Sequence, residues 1–228
     1  MANADPATET TTAPAPEASA VGAAEERVER LRKLAKREPI TAQNETWEWF
    51  KRLGKLAGSD REAADVQLGE LFRLGKTPKG LDGPTEGILV TPLIQPLADR
   101  ALRTITSLWM PWQGKRFDAK ANRGDNRLVG SARWPAKLLW PLYGTKPGPD
   151  GRLAFEFNTF AEPGKVDPDV KVLVIDYASV DDNPGLVIKR IRDELVEVSP
   201  NTYLGKILYR TGEDEFTNIG FFALRQRP

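Results

Sequence analysis

The sequence predicts an α+β protein in which a small antiparallel β-barrel of about eight strands follows an N-terminal helical extension. Three observations carry this reading. Leu153, Phe155 and Phe157 alternate with Glu156 and Asn158, the period of two expected of a half-buried strand. Lys171 to Tyr177 is apolar on both parities, as in a central strand covered on both faces. Tyr203 to Arg210 and Phe216 to Arg225 read as two strands joined by a turn containing Gly212. Many short strands ending in a hairpin suit a sheet that closes on itself.

Taken in order, residues 1–24 are rich in Ala, Thr, Pro and Glu, lack aromatic side chains, and are expected to be disordered because they bury too little surface to offset their conformational entropy. They have neither the basic start nor the apolar segment of a secretory signal, so the cytoplasm is the expected location. Residues 25–76 form the expected helical extension of about three helices. Val28, Leu31, Leu34 and Ala35 recur at helical spacing before Pro39, and Trp47, Phe50, Leu53 and Leu56 mark a second helix ending at Gly58. Ser59 and Glu62 have the spacing of a capping box for a third, ended by Gly75.

The barrel domain is expected to span 77–228. Its first strand is read at Thr85 to Thr91. Leu97, Ala98, Ala101, Leu102, Ile105, Leu108 and Trp109 then trace an amphipathic helix suited to act as a lid. In the stretch WMPWQGKRFD, Trp109 to Asp118, Pro111 blocks helix continuation and Gly114 relieves crowding where the second strand begins. Further short strands are expected at Arg127 to Ala132 and Leu138 to Tyr143, with turns at Ala121 to Asn126 and Lys146 to Gly151. Asn183-Pro184 suggests a helix start, with Ile188, Ile191, Leu195 and Val198 following at helical spacing; a strand over Glu194 to Val198 is the competing reading.

Composition narrows the chemistry. The chain has neither cysteine nor histidine, which removes disulfides, thiolate chemistry, imidazole triads and the common zinc sites. Asp181 and Asp182 read as turn and helix-start residues rather than a metal pair, and no metal or other cofactor is expected. Asp99 to Lys146 holds ten Lys and Arg against three acids, interleaved with Trp109, Trp112, Trp134 and Trp140.

Gly83-Pro84-Thr85-Glu86-Gly87, the run Trp112 to Phe117, Pro141-Leu142-Tyr143, Val172 to Tyr177, Tyr203 to Lys206 and Gly220 to Leu224 follow in an order that resembles GXWXG-type proteins with their companion domain of unknown function. The resemblance spans Leu81 to Arg225, with Thr85 standing where the family has its central tryptophan. It implies a calycin-like barrel and no established reaction, and no catalytic residue carries over.

Three functional readings follow. The preferred one is a non-catalytic binding module for an apolar or amphipathic small molecule or lipid. Arg116 and Arg127 would meet an anionic head group, and Trp112, Phe155, Phe157 and Tyr203 would line the apolar part. The competing role of each aromatic is core filling. The second reading is peripheral attachment of the Trp- and Arg-rich face to an anionic membrane surface. Nucleic acid is disfavoured because no recognition motif accompanies the charge. The third is a histidine-free isomerase or cyclase using Asp and Tyr. Asp176 and Tyr177 suggest it, but strand parity keeps that pair from facing one cavity.

Overall fold

The computed structural model describes residues 16–93, 112–129, 145–149, 151–185 and 187–226, with side chains from residue 22 onward. Helices α1 (Pro16–Ala35), α2 (Pro39–Ser59) and α3 (Arg61–Arg73) come first. The first helix starts at Pro16, so residues 16–24, expected to be disordered, are helical. Ala18, Ala20, Ala23 and Ala24 are strong helix formers, and they extend a helix already anchored by buried Val28 and Leu31. The cap of α3 is Asp60 and not Ser59. Its carboxylate accepts from the Ala63 amide at 3.0 Å, while the Ser59 hydroxyl donates back to the Leu56 carbonyl.

Ten strands follow: β1 (Gly83–Pro84), β2 (Glu86–Leu89), β3 (Trp112–Asp118), β4 (Arg123–Leu128), β5 (Lys146–Gly148), β6 (Gly151–Pro163), β7 (Lys171–Asp176), β8 (Ile191–Ser199), β9 (Thr202–Arg210) and β10 (Phe216–Arg225). The sheet runs β1-β3-β4-β6-β7-β8-β9-β10-β2 with β5 on β6, and every pairing is antiparallel. The two ends of this path are adjacent in sequence. β1 pairs with β3 and β2 with β10, so the sheet closes through a single chain segment bent at Thr85. The Thr85 hydroxyl holds the bend, donating to the Lys115 carbonyl at 2.8 Å and accepting from the Lys115 amide at 3.1 Å. A barrel with helices beside it, as the sequence predicts, is therefore present, with ten strands among the described residues where about eight were expected.

Residues 188–198 depart from the helical expectation. A single 3₁₀ turn, Ile188–Arg190, precedes β8, so the strand reading prevails and extends to Ile191. Ile191, Asp193 and Leu195 face the barrel interior, while Glu194 and Val196 face outward, and this alternation outweighs the helical spacing of four aliphatics. Asn183 braces the turn instead of capping a helix, donating to the carbonyls of Glu156 at 2.6 Å and Tyr177 at 3.0 Å. Lys146 to Gly148, expected as turn, pairs with β6 as a short strand. The expected lid helix over 97–109 and strand over 138–143 lie outside the described residues.

Two apolar clusters result. One fills the barrel and includes Phe117, Phe157, Ile175, Tyr177, Leu195, Tyr203, Ile207 and Phe222. The other lies between the helices and the outer face of β7 to β10, joining Trp47, Phe50 and Phe72 to Val172, Val174, Leu204 and Phe221. This second layer explains why β7 is apolar on both parities. Phe72 is fully buried there, so Phe72→Ala is expected to lower unfolding free energy by about 3–5 kcal/mol in urea denaturation. Among the described residues no helix is long and apolar enough to cross a membrane.

Candidate functional site

Among the described residues, the barrel interior contains a polar cluster built on facing strands. Lys115 of β3 and Asn126 of β4 are paired in register and both point inward, Tyr177 follows β7, and Asp193 lies on β8. Lys115 and Asp193 are wholly buried and paired at 2.9 Å. The Lys115 amine also donates to Asn126 Oδ1 at 2.9 Å and to the Tyr177 hydroxyl, which in turn donates to Asp193 Oδ2 at 3.0 Å. Asn126 Oδ1 further accepts from Trp112 Nε1 at 3.1 Å. Asp193 Oδ1 is buried and, among the described residues, has no hydrogen-bond partner.

Aromatic rings enclose this cluster. The Lys115 amine lies 5.2 Å from the ring centres of Tyr177 and Phe222, 5.3 Å from Phe157 and 5.8 Å from Trp112. The rings pack edge to face, Trp112 on Phe222 at 5.8 Å and Phe157 on Tyr177 at 5.7 Å. Phe155 takes a left-handed backbone at φ 53°, rare for a bulky residue, where β6 slips register against β4. Its carbonyl accepts from Asn126 Nδ2 at 3.2 Å, which fixes the amide that Lys115 meets.

Burial pushes the Lys115 amine below its usual range, opposed by the Asp193 carboxylate. Burial pushes the phenols of Tyr177 and Tyr203 upward, helped at Tyr177 by Asp193 and at Tyr203 by Glu197. Above about pH 10 the unfolded chain loses phenolic protons that the folded chain keeps, so the folded state binds more protons and stability falls with rising pH. Each phenol contributes a slope of up to about 1.4 kcal/mol per pH unit. Lys115 has the opposite sign at lower pH, where the unfolded chain binds the extra proton and stability rises towards about pH 10.4. Urea midpoints should therefore fall steeply between pH 10.5 and 11.5. Tyr203→Phe should flatten that fall by about half.

The candidate binding residues divide into two groups. Phe155, Phe157 and Tyr203 belong to the barrel interior, and Trp112 packs against it while remaining partly accessible. Arg116 and Arg127 lie on the outer face, since their strand neighbours Lys115 and Asn126 point inward. These two arginines and Arg152 line a surface pocket of about 180 Å³ with Pro84, Gly148 and Leu153. Among its described lining residues there is no carboxylate, although Asp125 stands opposite Arg116 in register. A second groove of about 580 Å³ adjoins it, sharing Pro84 and Arg127 and lined also by Thr85, Glu86, Gly87, Trp112 and Gln113. Glu86 is engaged there by Arg225 at 2.8 Å.

Asp176 shares the outer parity of Val172 and Val174, and its carboxylate accepts from the Ala178 amide at 3.0 Å, while Tyr177 faces inward. The carboxylate that meets Tyr177 is Asp193. Lys115 and Asp193 escape the sequence reading because a lysine in Gly-Lys-Arg-Phe looks like a solvated charge, and because the helical spacing of Ile188 to Val198 competes with a strand reading that starts only at Glu194. The available signal was parity, since Lys115 alternates with Phe117 and Asp193 with Ile191 and Leu195. Of the four tryptophans in the basic stretch, Trp109, Trp134 and Trp140 lie outside the described residues.

No family model matches the chain, and no curated protein matches it either. Among solved structures, a protein from Thermomonospora curvata is similar at 17% identity and a TM-score of 0.42, covering 78% of this chain and 98% of its own length.

Proposed function

We propose that this chain is a binding module for a small amphipathic anion. Its head group meets Arg116, Arg127 and Arg152, and its apolar part runs along the adjoining groove to Trp112 and the aromatic barrel interior. The observation that supports this reading is the adjacency of two pockets that share Pro84 and Arg127 as lining residues, with guanidinium groups in one and an indole in the other. Guanidinium groups suit carboxylate or phosphate recognition, and an indole offers a large apolar contact surface. We also propose membership of the GXWXG-type group, in which Thr85, at the barrel seam, would stand at the family's tryptophan position.

Titration calorimetry with octanoate and with octanol tests this directly. Octanoate should bind more tightly than octanol, and the pair Arg116→Glu and Arg152→Glu should weaken octanoate by about tenfold or more, or ~1.4 kcal/mol, with little effect on octanol. Equal affinity of wild type for both ligands, or no binding of either, would remove the proposal.

A further inference from the structure

We infer that the head group taken by the arginine-lined surface pocket is a phosphoryl dianion, the terminal group of a phosphate monoester, in preference to a carboxylate. The inference rests on the reading of this pocket and its adjoining groove as a binding site, and it names the chemical class of the ligand. Arg116 of β3, Arg127 of β4 and Arg152 of β6 line the pocket from three neighbouring strands. Arg152 donates to both the hydroxyl and the carbonyl of Thr145, and Arg127 donates to the Thr85 carbonyl at 2.7 Å. A neutral acceptor fixes the position of a guanidinium and leaves its charge in place, so the donors are set before a ligand arrives.

The balance of charge selects the dianion. Among the described residues Arg116 and Arg152 form no ion pair, and Arg116 makes no hydrogen bond through its exposed side chain. Asp125, the acid opposite Arg116, belongs to a neighbouring group on the same face in which Glu156 and Asp125 are offset by Lys146 and Arg123. Arg116 and Arg152 therefore leave two positive charges at the pocket. A carboxylate neutralises one of them, whereas a phosphate monoester brings a second charge and three acceptor oxygens. The oxygens suit donors arriving from three strands, since each guanidinium has a fork of N–H groups to offer. The volume of about 180 Å³ equals that of roughly six liquid waters, room for a phosphoryl group and the first carbons of its ester. Arg127 lines the adjoining groove as well, so a chain leaving the head group passes towards Trp112.

Titration calorimetry of the full-length protein at pH 8 with octyl phosphate, octyl methyl phosphate, octanoate and inorganic phosphate tests the inference. At this pH the monoester is a dianion, while the diester and the carboxylate are monoanions. Octyl phosphate should bind about tenfold or more tightly than either octanoate or octyl methyl phosphate. Arg116→Gln removes a charge that holds no other element in place, and it should reduce that preference by about threefold or more. Inorganic phosphate should compete with octyl phosphate but bind at least about tenfold more weakly, because it lacks the apolar chain. Inorganic phosphate binding as tightly as octyl phosphate would uphold the dianion, assign it to free phosphate, and overturn the amphipathic reading. Octyl phosphate binding no tighter than octanoate and octyl methyl phosphate would overturn the inference and leave the binding module standing. Failure of all four to bind would remove both.

Discussion

Asp193→Ala is expected to lower the unfolding free energy by about 3–5 kcal/mol, among the largest effects of any single substitution in this chain. Removing the carboxylate leaves the Lys115 amine wholly buried and without the negative charge that faces it at 2.9 Å. Desolvating a charge costs far more than a lost neutral hydrogen bond, and the surrounding rings offset only part of that cost. The double variant Lys115→Met and Asp193→Leu should recover most of the loss, because an apolar pair of similar volume requires no charge burial. Urea denaturation of the two single variants and the double variant gives the coupling directly. If the single losses add in the double variant, the ion pair does not hold the interior together as described.

Gly114→Ala is the second large effect. A Cβ at this position would lie 2.3 Å from the Thr85 carbonyl oxygen, and the backbone φ of 135° is one that alanine adopts only under strain. The conformational cost alone is about 1–3 kcal/mol, and relief of the clash requires the bend at Thr85 to open. Gly80 provides the comparison. Its φ of 66° is also positive, but nothing lies within 4 Å of an added Cβ, so Gly80→Ala should cost only about 1 kcal/mol. A Gly114→Ala protein as stable as Gly80→Ala would show that the seam between β1, β2 and β3 yields easily. The same substitution should disturb Trp112, since Gly87 and Gly114 pack against one another beneath its ring. A shifted Trp112 would appear as reduced affinity for octanoate.

The elements legible in the sequence were those whose periodicity had a single interpretation. Val172, Val174, Leu173 and Ile175 divide between the two apolar clusters, as an all-apolar strand requires. The terminal hairpin has its expected bounds to within a residue, because the turn residues after Arg210 stop both strands. β8 was ambiguous for a physical reason. Ile188, Ile191, Leu195 and Val198 satisfy a helical spacing, but Val198 packs against the helices while Ile191 and Leu195 pack inside the barrel. The polar centre was hidden because parity points Lys115 and Asp193 inward only once β3 and β8 are recognised as strands. Only the pairing of Lys115 with Asn126, set by the tertiary register, and the proximity of β8 bring the charges together. Arg116 illustrates the converse, a basic residue of the same run that parity places outside.

The bend at Thr85 also bears on the order in which the protein is made. Leu89 pairs with Phe222, so the segment that closes the barrel leaves the ribosome long before its partner strand exists. Until β10 emerges, one flank of that segment has an unmatched row of amides and carbonyls, and the polar cluster around Lys115 is open to water. Contacts of such wide sequence separation form slowly because loop entropy must be lost before they stabilise anything. The interior charges are then dehydrated at the final step, when the last strand docks. A nascent chain halted before Phe216 is accordingly expected to be a sticky open sheet, while the helical layer, whose own contacts are mostly local, is already in place to shield one face.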